Sequence, residues 1–254
     1  MENKVDFNCD VGESFGVYKL GFDEELMFQI SSANIACGFH AGDPMWMRKT
    51  VRLAEETGIA IGAHPSLPDL IGFGRRDMQV TPEEIRNYVV YQIGALQAFT
   101  KHKRLQHVKP HGALYNMGAT KEELAKAVAE AVFEVDPKLI LVGLAGSAWI
   151  KVGHELGLKV ASEVFADRAL SPDGTLVPRN CPGAVIRDSE EVAARSLKML
   201  TEGKVTAIDG KEIEIRGDTI CLHGDTPGAV DLARTLRQRL NAAGVAVMPM
   251  GTFL

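Results

Sequence analysis

The stretch VDFNCDVGE, residues 5–13, carries an acidic or amide side chain at every second position of an otherwise apolar run. Successive side chains of a β-strand point to opposite faces, so Asp6, Asn8 and Asp10 share one face. The segment is either an amphipathic edge strand or a strand whose polar face lines a polar interior. Unpaired carboxylates are costly to bury against apolar helices, and we therefore favour the polar interior.

Five further segments have the same form, an apolar run that ends in ionisable side chains beside Gly or Pro. They are SSANIACGFHAGDP (residues 31–44), IAIGAHP (59–65), HVKPHGALY (107–115), VASEVFADR (160–168) and TICLHGDTPGA (219–229). Strands that are buried on both faces and present charged groups at their carboxyl ends are typical of a (β/α) barrel with its site at that end. An open doubly wound sheet would gather such groups at one switch point, whereas here nearly every strand supplies them.

Helix signals alternate with these strands along the chain. The seven predicted strands begin near residues 5, 34, 59, 106, 139, 159 and 219. We predict an α/β fold, an irregular seven-stranded (β/α) TIM-like barrel, and we expect residues 1–254 to form a single domain of this kind.

Local signals locate several turns and helix starts. Three helix starts carry capping signals, namely Asp43 with Pro44, Thr81 with Pro82 and Glu84, and Thr120 with Glu123. An N-cap oxygen accepts hydrogen bonds from the free backbone N–H groups of the first turn, and Pro suits the first helical position. We therefore interpret Asp43 as a structural cap. Asp209–Gly210, between alternating residues, predicts a hairpin turn.

Charge and cysteine usage exclude several classes of protein. Net charge is −5 and there is no Lys/Arg-rich run, so neither a nucleic acid nor an anionic membrane surface is expected as a partner. The sequence has neither a basic-then-apolar leader nor an apolar run long enough to span a bilayer. The four cysteines lack CxxC spacing. We expect a cytoplasmic protein with reduced thiols.

Imidazole, ammonium and carboxylate groups recur at the carboxyl end of the predicted barrel. The expected catalytic set is Asp10, His40, His64, Lys109, His111, Glu163 and His223. Imidazoles serve as metal ligands, general bases or oxyanion donors. Lys109 either binds an anion or forms a structural ion pair with Asp10 or Glu163. Glu13 is either catalytic or part of a loop ion pair. The other histidines, which we interpret as surface or packing residues, are His102, His107 and His154.

Cofactor motifs are weak. The phosphate-binding motif GxxxxGK[ST] is absent, and LVGLAGSAW, residues 141–149, is better explained as a tight strand-to-helix turn than as an anion site. The HExxH spacing of zinc proteases is absent as well. The residues alone leave a divalent metal open.

The chain resembles the LamB/YcsF family in a series of motifs that follow the family's order over nearly the whole sequence. They are FNCDVGE, SSANIACGFHAGDP, AIGAHPSLPD with GFGRR, YQIGAL, HVKPHGALYN, LVGLAGS, EVFADR with DGTLVPR, PGAVI and CLHGDTPGA. The resemblance implies a barrel related to those of glycoside hydrolases and polysaccharide deacetylases. It also implies an ATP-dependent 5-oxoprolinase activity, in which the lactam of 5-oxo-L-proline is cleaved to L-glutamate. ATP is then the co-substrate, and partner subunits B and C are required.

Roles follow for individual residues under this resemblance. Asp10 or Glu163 is the expected base, Lys109 and Arg168 are expected to bind anions, and the four barrel histidines are expected to transfer protons or contact an oxyanion. The residues expected to contact the substrate are Asn8, Asn34, Tyr115, Asp167, Arg168 and Asp225.

Two other functions are compatible with the sequence. One is a metal-dependent deacetylase or amidohydrolase that acts alone, with zinc held by Asp10 and two histidines. The other is a lactam- or carbohydrate-binding subunit without chemistry of its own, although binding sites usually carry fewer ionisable groups than this cleft. Whether the chain also forms a homo-oligomer is open, as is the subunit that binds ATP.

Overall fold

A computed structural model describes residues 3–224 and 228–254, and its centre is the predicted closed barrel of parallel strands. The seven barrel strands are β1 (Lys4–Val11), β2 (Ser32–Ala36), β3 (Ala60–His64), β4 (His107–Val108), β5 (Ile140–Leu144), β6 (Lys159–Phe165) and β9 (Thr219–Leu222). Consecutive members of this series are hydrogen-bonded neighbours, and β9 pairs with both β6 and β1, which closes the ring.

Three short strands lie outside the ring. β7 (Lys204–Thr206) and β8 (Glu212–Glu214) form an antiparallel hairpin, which confirms the turn predicted at Asp209–Gly210. β10 (Ala246–Val247) pairs with the start of β1.

Helices surround the barrel. They are α1 (Asp23–Leu26), α2 (Pro44–Thr57), α3 (Pro82–Phe99), α4 (Gly112–Thr120), α5 (Glu122–Val135), α6 (Ala148–Glu155), α7 (Ser189–Thr201) and α8 (Ala229–Ala242), with a 3₁₀ turn at Met250–Thr252. Within residues 3–224 and 228–254, none of these helices combines the length and the apolar character that crossing a bilayer requires.

Two of the three predicted helix caps are confirmed. Asp43 Oδ1 accepts hydrogen bonds from the backbone N–H groups of Met45 and Trp46 at the start of α2. Thr81 and Glu84 form a reciprocal capping box at the start of α3. The third prediction is wrong: Thr120 ends α4, a helix that was not anticipated, and its hydroxyl donates to the carbonyl of Met117.

The polar face of β1 lines the barrel interior, as predicted. Asp6 accepts hydrogen bonds from three hydroxyl groups, those of Ser31, Ser32 and Thr219. One step higher, the Asn8 amide donates to Glu163 Oε1 at 2.9 Å and to Thr219 Oγ1 at 2.7 Å. Each inward polar group of β1 is therefore satisfied by side chains of other strands, which removes most of the cost of burying it.

The opposite end of the barrel is closed by apolar packing. Ile140 and Val142 of β5 and Ala161 of β6 meet Met250 of the 3₁₀ turn in a small buried cluster. The polar interior opens toward the carboxyl ends of the strands, where the loops carry the ionisable residues.

Candidate active site

A cleft of about 590 Å³ lies at the carboxyl end of the barrel strands. Seven of the residues predicted from the sequence line it, namely Asp10, His64, Lys109, His111, Tyr115, Arg168 and His223. They come from β1, β3 and the segments that follow β4, β6 and β9. The barrel thus brings together groups that are far apart in sequence.

Lys109 forms the centre of the cleft floor. Its Nζ lies 3.0 Å from Asp10 Oδ1, 3.0 Å from Glu163 Oε1 and 2.9 Å from Cys221 Sγ. The ammonium is also 5.4 Å from the centre of the Phe165 ring. Burial works against the charged form, but Asp10, Cys221 and Glu163 outweigh it and raise the pKa of Lys109 well above its usual value.

Asp10 is the acidic group that reaches the cleft from β1. Its Oδ1 accepts hydrogen bonds from Asn34 at 2.8 Å and from Lys109, and its Oδ2 lies 3.3 Å from His64 Nε2. Burial alone would raise the pKa of Asp10, yet His64 and Lys109 hold it well below its usual value. Asp10 is therefore an ionised carboxylate.

The His64 and His111 rings are fixed by two backbone carbonyl groups. His64 Nδ1 lies 2.7 Å from the oxygen of Lys109, and His111 Nε2 lies 2.9 Å from the oxygen of Phe73. Carbonyl oxygens only accept, so each of these nitrogens carries a proton. His64 Nε2 and His111 Nδ1 then face each other at 2.9 Å. Two neutral imidazoles have no proton left for this contact, so a third proton or another cation must occupy it.

His40 and Glu13 complete a buried group beside these two rings. His40 Nε2 lies 3.2 Å from Glu13 Oε1, and Glu13 Oε1 lies 3.7 Å from His111 Nδ1. The His40 ring stacks on the His111 ring with centroids 3.8 Å apart. Burial, followed by the charge of His64, lowers the pKa of His40 well below its usual value. His40 is therefore neutral, and it does not line the cleft described above.

His223 and Asp167 form a second polar pair at the cleft edge. His223 Nδ1 lies 3.0 Å from both carboxylate oxygens of Asp167, and the His223 ring stacks on Phe165. Burial opposes ionisation of Asp167, but His223 and Arg179 lower its pKa below its usual value. Asp167 is buried behind His223, so it orients the imidazole, whose other nitrogen is left for the cleft.

Two buried polar atoms near Lys109 lack partners. Neither Tyr115 Oη nor Glu163 Oε2 makes a hydrogen bond of good geometry to a described residue, although the two side chains lie close enough for Glu163 to act on the Tyr115 hydroxyl. Burial and the charge of Glu163 raise the pKa of Tyr115 well above its usual value, so its hydroxyl keeps its proton. Of these two residues only Tyr115 lines the cleft, and an unpartnered buried hydroxyl at a cleft wall is typical of a contact made to a ligand.

Three arginines line the same cleft, Arg75, Arg168 and Arg179. The Arg168 guanidinium donates to the carbonyl oxygens of Val177 and Ala184. Burial, together with the charges of Arg179 and Arg75, lowers the pKa of Arg168 to about 10. Each of these positive charges makes the charged form of its neighbours less favourable. An anionic ligand would reduce this repulsion, so the environment favours one.

Other predicted residues lie below the cleft or outside the described chain. Asn8 and Asn34 are fully buried beneath its floor, where the Asn34 amide donates to Asn8 Oδ1 and to Asp10. Asp225 lies outside the described residues. His102 and His154 are exposed, as expected.

His107, which we interpreted as a surface or packing residue, is a packing residue of the barrel interior. Its Nε2 lies 2.7 Å from Asn34 Oδ1, and burial lowers its pKa to about 3. A side chain at Gly62 would exclude it, since a Cβ there would come within 2.1 Å of His107 Nε2. The alternation along HVKPH already placed His107 on the same face as Lys109, which was the signal for its true position.

Sequence reasoning missed Arg75, Arg179 and Cys221. The two arginines lie in long loops, in the motifs GFGRR and DGTLVPR, whose course over the barrel depends on tertiary contacts. Cys221 was predicted only to be a reduced thiol, and burial raises its pKa well above the usual value although the nearby Lys109 ammonium works against this. It nevertheless lies against Lys109 and belongs to the cleft floor.

Among the residues that the structure describes, two groups of side chains have the composition of metal ligands. Glu13, His40, His64 and His111 place one ligand atom each within 4.8 Å of the others, and so do Asp10, Cys221 and His223. The second group already surrounds the ammonium of Lys109, which contacts both Asp10 and Cys221.

Comparison with known proteins identifies the family of this chain and agrees with its fold. The LamB/YcsF family model matches residues 5–254. Proteins named as the A subunit of 5-oxoprolinase from Pyrococcus furiosus and Thermococcus onnurineus are 58% and 60% identical to this chain over 253 residues, which is 99% of this chain and 99% of each relative.

Solved structures show the same relationship. A lactam utilization protein from Thermus thermophilus superposes with a TM-score of 0.91 at 49% identity, covering 96% of this chain and 99% of that chain. A family 4 carbohydrate esterase from Streptomyces lividans gives a TM-score of 0.54 at 11% identity, covering 96% of this chain and 91% of that chain. The latter similarity concerns the fold alone, and it confirms the predicted barrel of the deacetylase type.

Proposed function

The chain belongs to the LamB/YcsF family, and we propose that it is the A subunit of a 5-oxoprolinase that opens the ring amide of 5-oxo-L-proline to give L-glutamate. The observation that carries the proposal is the name shared by its relatives. Proteins 54–60% identical over nearly their whole length are named as the A subunit of 5-oxoprolinase. The cleft has the charged groups that this reaction needs.

We further propose that the reaction depends on ATP. An unstrained amide is a weak electrophile, because resonance between nitrogen and carbonyl lowers the charge on the carbon. Transfer of the γ-phosphoryl group to the amide oxygen, with loss of the N–H proton, gives a cyclic imidate and ADP. This intermediate has a far more electrophilic carbon than the lactam.

The remaining steps of the reaction consume two water molecules. The first adds to the imidate carbon, and the ring C–N bond then breaks as a proton reaches the nitrogen, which leaves an acyl phosphate on the side chain of glutamate. The second water hydrolyses that acyl phosphate to the carboxylate and phosphate. The site therefore needs cations for the phosphoryl group, a carboxylate to accept protons from water, and an acid for the nitrogen.

The described residues supply these groups. Arg75, Arg168 and Arg179 are proposed to bind the substrate carboxylate and the transferred phosphoryl group. Asp10 reaches the cleft and Glu163 does not, so Asp10 is the proposed partner of the attacking water and Glu163 holds Lys109 in place.

Proton delivery to the ring nitrogen is assigned to His223. Asp167 fixes the imidazole by its Nδ1, and His223 lines the cleft. Tyr115, with its unpartnered hydroxyl, is proposed to donate a hydrogen bond to the substrate. Asn8 and Asn34 support Asp10 and Lys109 from below instead of touching the substrate.

Partner subunits B and C are proposed to complete the enzyme, since the letter in the relatives' name implies further chains. The cleft volume lies within the range of about 300–1,000 Å³ that is usual for ligand sites, and it exceeds what one small lactam requires. A phosphoryl donor held by another chain of the assembly has room to enter beside the substrate.

The test is glutamate release from 5-oxoproline and ATP, by this chain alone and mixed with subunits B and C. We expect equal amounts of glutamate and ADP from the complete mixture only. Glutamate from the chain alone without ATP would contradict the proposal in favour of an independent amidohydrolase. Calorimetric binding of 5-oxoproline with no turnover in the complete mixture would identify a protein that only binds the lactam.

A further inference from the structure

We propose that this chain holds one divalent transition-metal ion of the zinc class, bound by Glu13, His64 and His111. The site is separate from the ATP chemistry proposed above, because metal binding is a property of the chain alone. It can be present or absent whatever the enzyme's substrate.

The strongest argument is the way the two histidines are oriented. His64 donates from Nδ1 to the carbonyl of Lys109, and His111 donates from Nε2 to the carbonyl of Phe73. Histidines that bind metals almost always donate their other ring N–H to a carbonyl or carboxylate, which fixes the tautomer. Here both rings are fixed so that their two lone pairs converge.

The converging atoms have the separation of metal ligands. His64 Nε2 and His111 Nδ1 are 2.9 Å apart, and His111 Nδ1 is 3.7 Å from Glu13 Oε1. Ligands at the usual zinc distances of about 2.0–2.1 Å lie about 3.3 Å from one another in a tetrahedral site. Small movements of the three side chains therefore suffice to surround an ion. Such an ion would also remove the repulsion between the two lone pairs.

His40 is a supporting residue and not a fourth ligand. Its ring is nearly parallel to that of His111, at 6° and 3.8 Å, and an imidazole binds a metal within its own plane. Because the planes of the two stacked rings are nearly parallel and separate, one ion cannot lie in both planes. His40 instead contacts Glu13 Oε1 at 3.2 Å and holds that carboxylate toward the site.

Two histidines and one carboxylate form a ligand set known from catalytic zinc sites, in which the fourth position stays open. His64 and His111 line the cleft, so an open position on the ion would be accessible from the cleft. The alternative group of Asp10, Cys221 and His223 is disfavoured because the Lys109 ammonium already lies 3.0 Å from Asp10 and 2.9 Å from Cys221.

The experiment titrates the intact chain, purified without added metal and dialysed against a chelator, with Zn²⁺ and with Co²⁺. We expect about one zinc per chain, the strong visible absorption of low-coordinate Co²⁺, and a rise in thermal midpoint on zinc addition. His111→Gln should weaken zinc binding by about 100-fold or more. Glu13→Gln is the second variant in case His111→Gln does not fold.

Cys221→Ser and His154→Gln are the matched controls, one in the competing group and one on the surface. Both should bind zinc as the wild type does, and circular dichroism should show the same metal-free fold in every variant. If the wild type bound zinc no more tightly than His111→Gln does, the proposal would be overturned. The His64 and His111 rings would then share only a proton. Loss of zinc in Cys221→Ser, with none in His111→Gln, would overturn the proposal equally by locating the ion elsewhere.

Discussion

Lys109 Nζ lies 3.0 Å from Asp10 Oδ1, with side chains only 3% and 8% exposed to water. Removing one partner from a buried ion pair strands the other charge, which costs about 3–5 kcal/mol. We expect Lys109→Met to lower the free energy of unfolding by that amount, because it strands Glu163 as well. Urea denaturation measures it. Lys151→Met, which breaks an exposed pair with Glu122, is the control and should lower the free energy of unfolding far less, because solvent screens the pair. Equal losses would contradict the buried role.

Asp10→Asn should remove most of the proposed activity and leave the fold intact. The amide keeps the shape and its hydrogen bonds, but it can neither accept a proton from water nor pair with Lys109 as a charge. We expect 5-oxoproline turnover by the complete assembly to fall by about 100-fold or more. Unchanged turnover in both Asp10→Asn and Lys109→Ala, in protein shown to be folded, would mean that the site lies elsewhere.

The proposed role of Asp167 is to act through His223, and this role predicts that substitutions of the two residues are not additive. Asp167→Asn leaves the imidazole without its carboxylate partner and should lower turnover by about 100-fold or more. His223→Ala should do the same, and the double variant should be little worse than either one alone, since the two residues work as a unit. Full addition of the two losses would show that they act independently.

Gly62 makes room for His107 in the barrel, so a methyl group there should be costly. The added Cβ would meet the His107 ring at 2.1 Å. We expect Gly62→Ala to destabilise the protein by about 1–3 kcal/mol, the usual cost of overpacking. Gly94→Ala is the matched control: it lies within α3 with open space around it, and it should stabilise by about 0.5–1 kcal/mol. Denaturant midpoints with equal slopes give both values.

The raised pKa of Asp6 predicts how the free energy of unfolding depends on pH. Burial raises its pKa from 3.8 to about 6, so the folded chain holds the carboxyl proton more tightly than the unfolded chain does. The protonated Asp6 carboxyl therefore adds to the free energy of unfolding at low pH. This stabilisation is fully present below the unfolded pKa and disappears as pH rises to about 6, a change of about 3 kcal/mol. Asp6→Asn should flatten this part of the stability curve. Asp23, with its pKa raised to about 6 by burial, should leave a residual slope. An unchanged curve would contradict the assignment.

The strand pattern predicted most of the architecture because it has a direct physical cause. In β1, the period of two put Asp6, Asn8 and Asp10 on one face, and the cost of burying carboxylates pointed that face into the barrel. The same argument placed Lys109 in the interior. The family resemblance added the function and the deacetylase-type fold, which no periodicity contains.

The wrong or missing predictions concern features that tertiary contacts decide and that local sequence signals do not record. Thr120 has the spacing of a capping residue, but α4 extends through it, so the hydroxyl ends one helix instead of starting the next. Arg75 and Arg179 lie in loops whose path is set by packing against the barrel mouth. The proton count of the His64–His111 pair depends on distances to two carbonyl groups, which no sequence motif records.

The hydrogen bonds inside the barrel have a consequence for how the chain is made. Asp6 and Asn8 reach Thr219 across 213 and 211 residues of sequence. On the ribosome, β1 emerges long before β9, and contacts between distant segments form slowly. Ser31, Ser32 and Asn34 can pair with this polar face early, but its hydrogen bonds are complete only when the final barrel strand docks. A chain that stops before β9 can contain well-formed helices and still lack the closed barrel, and with it the complete cleft.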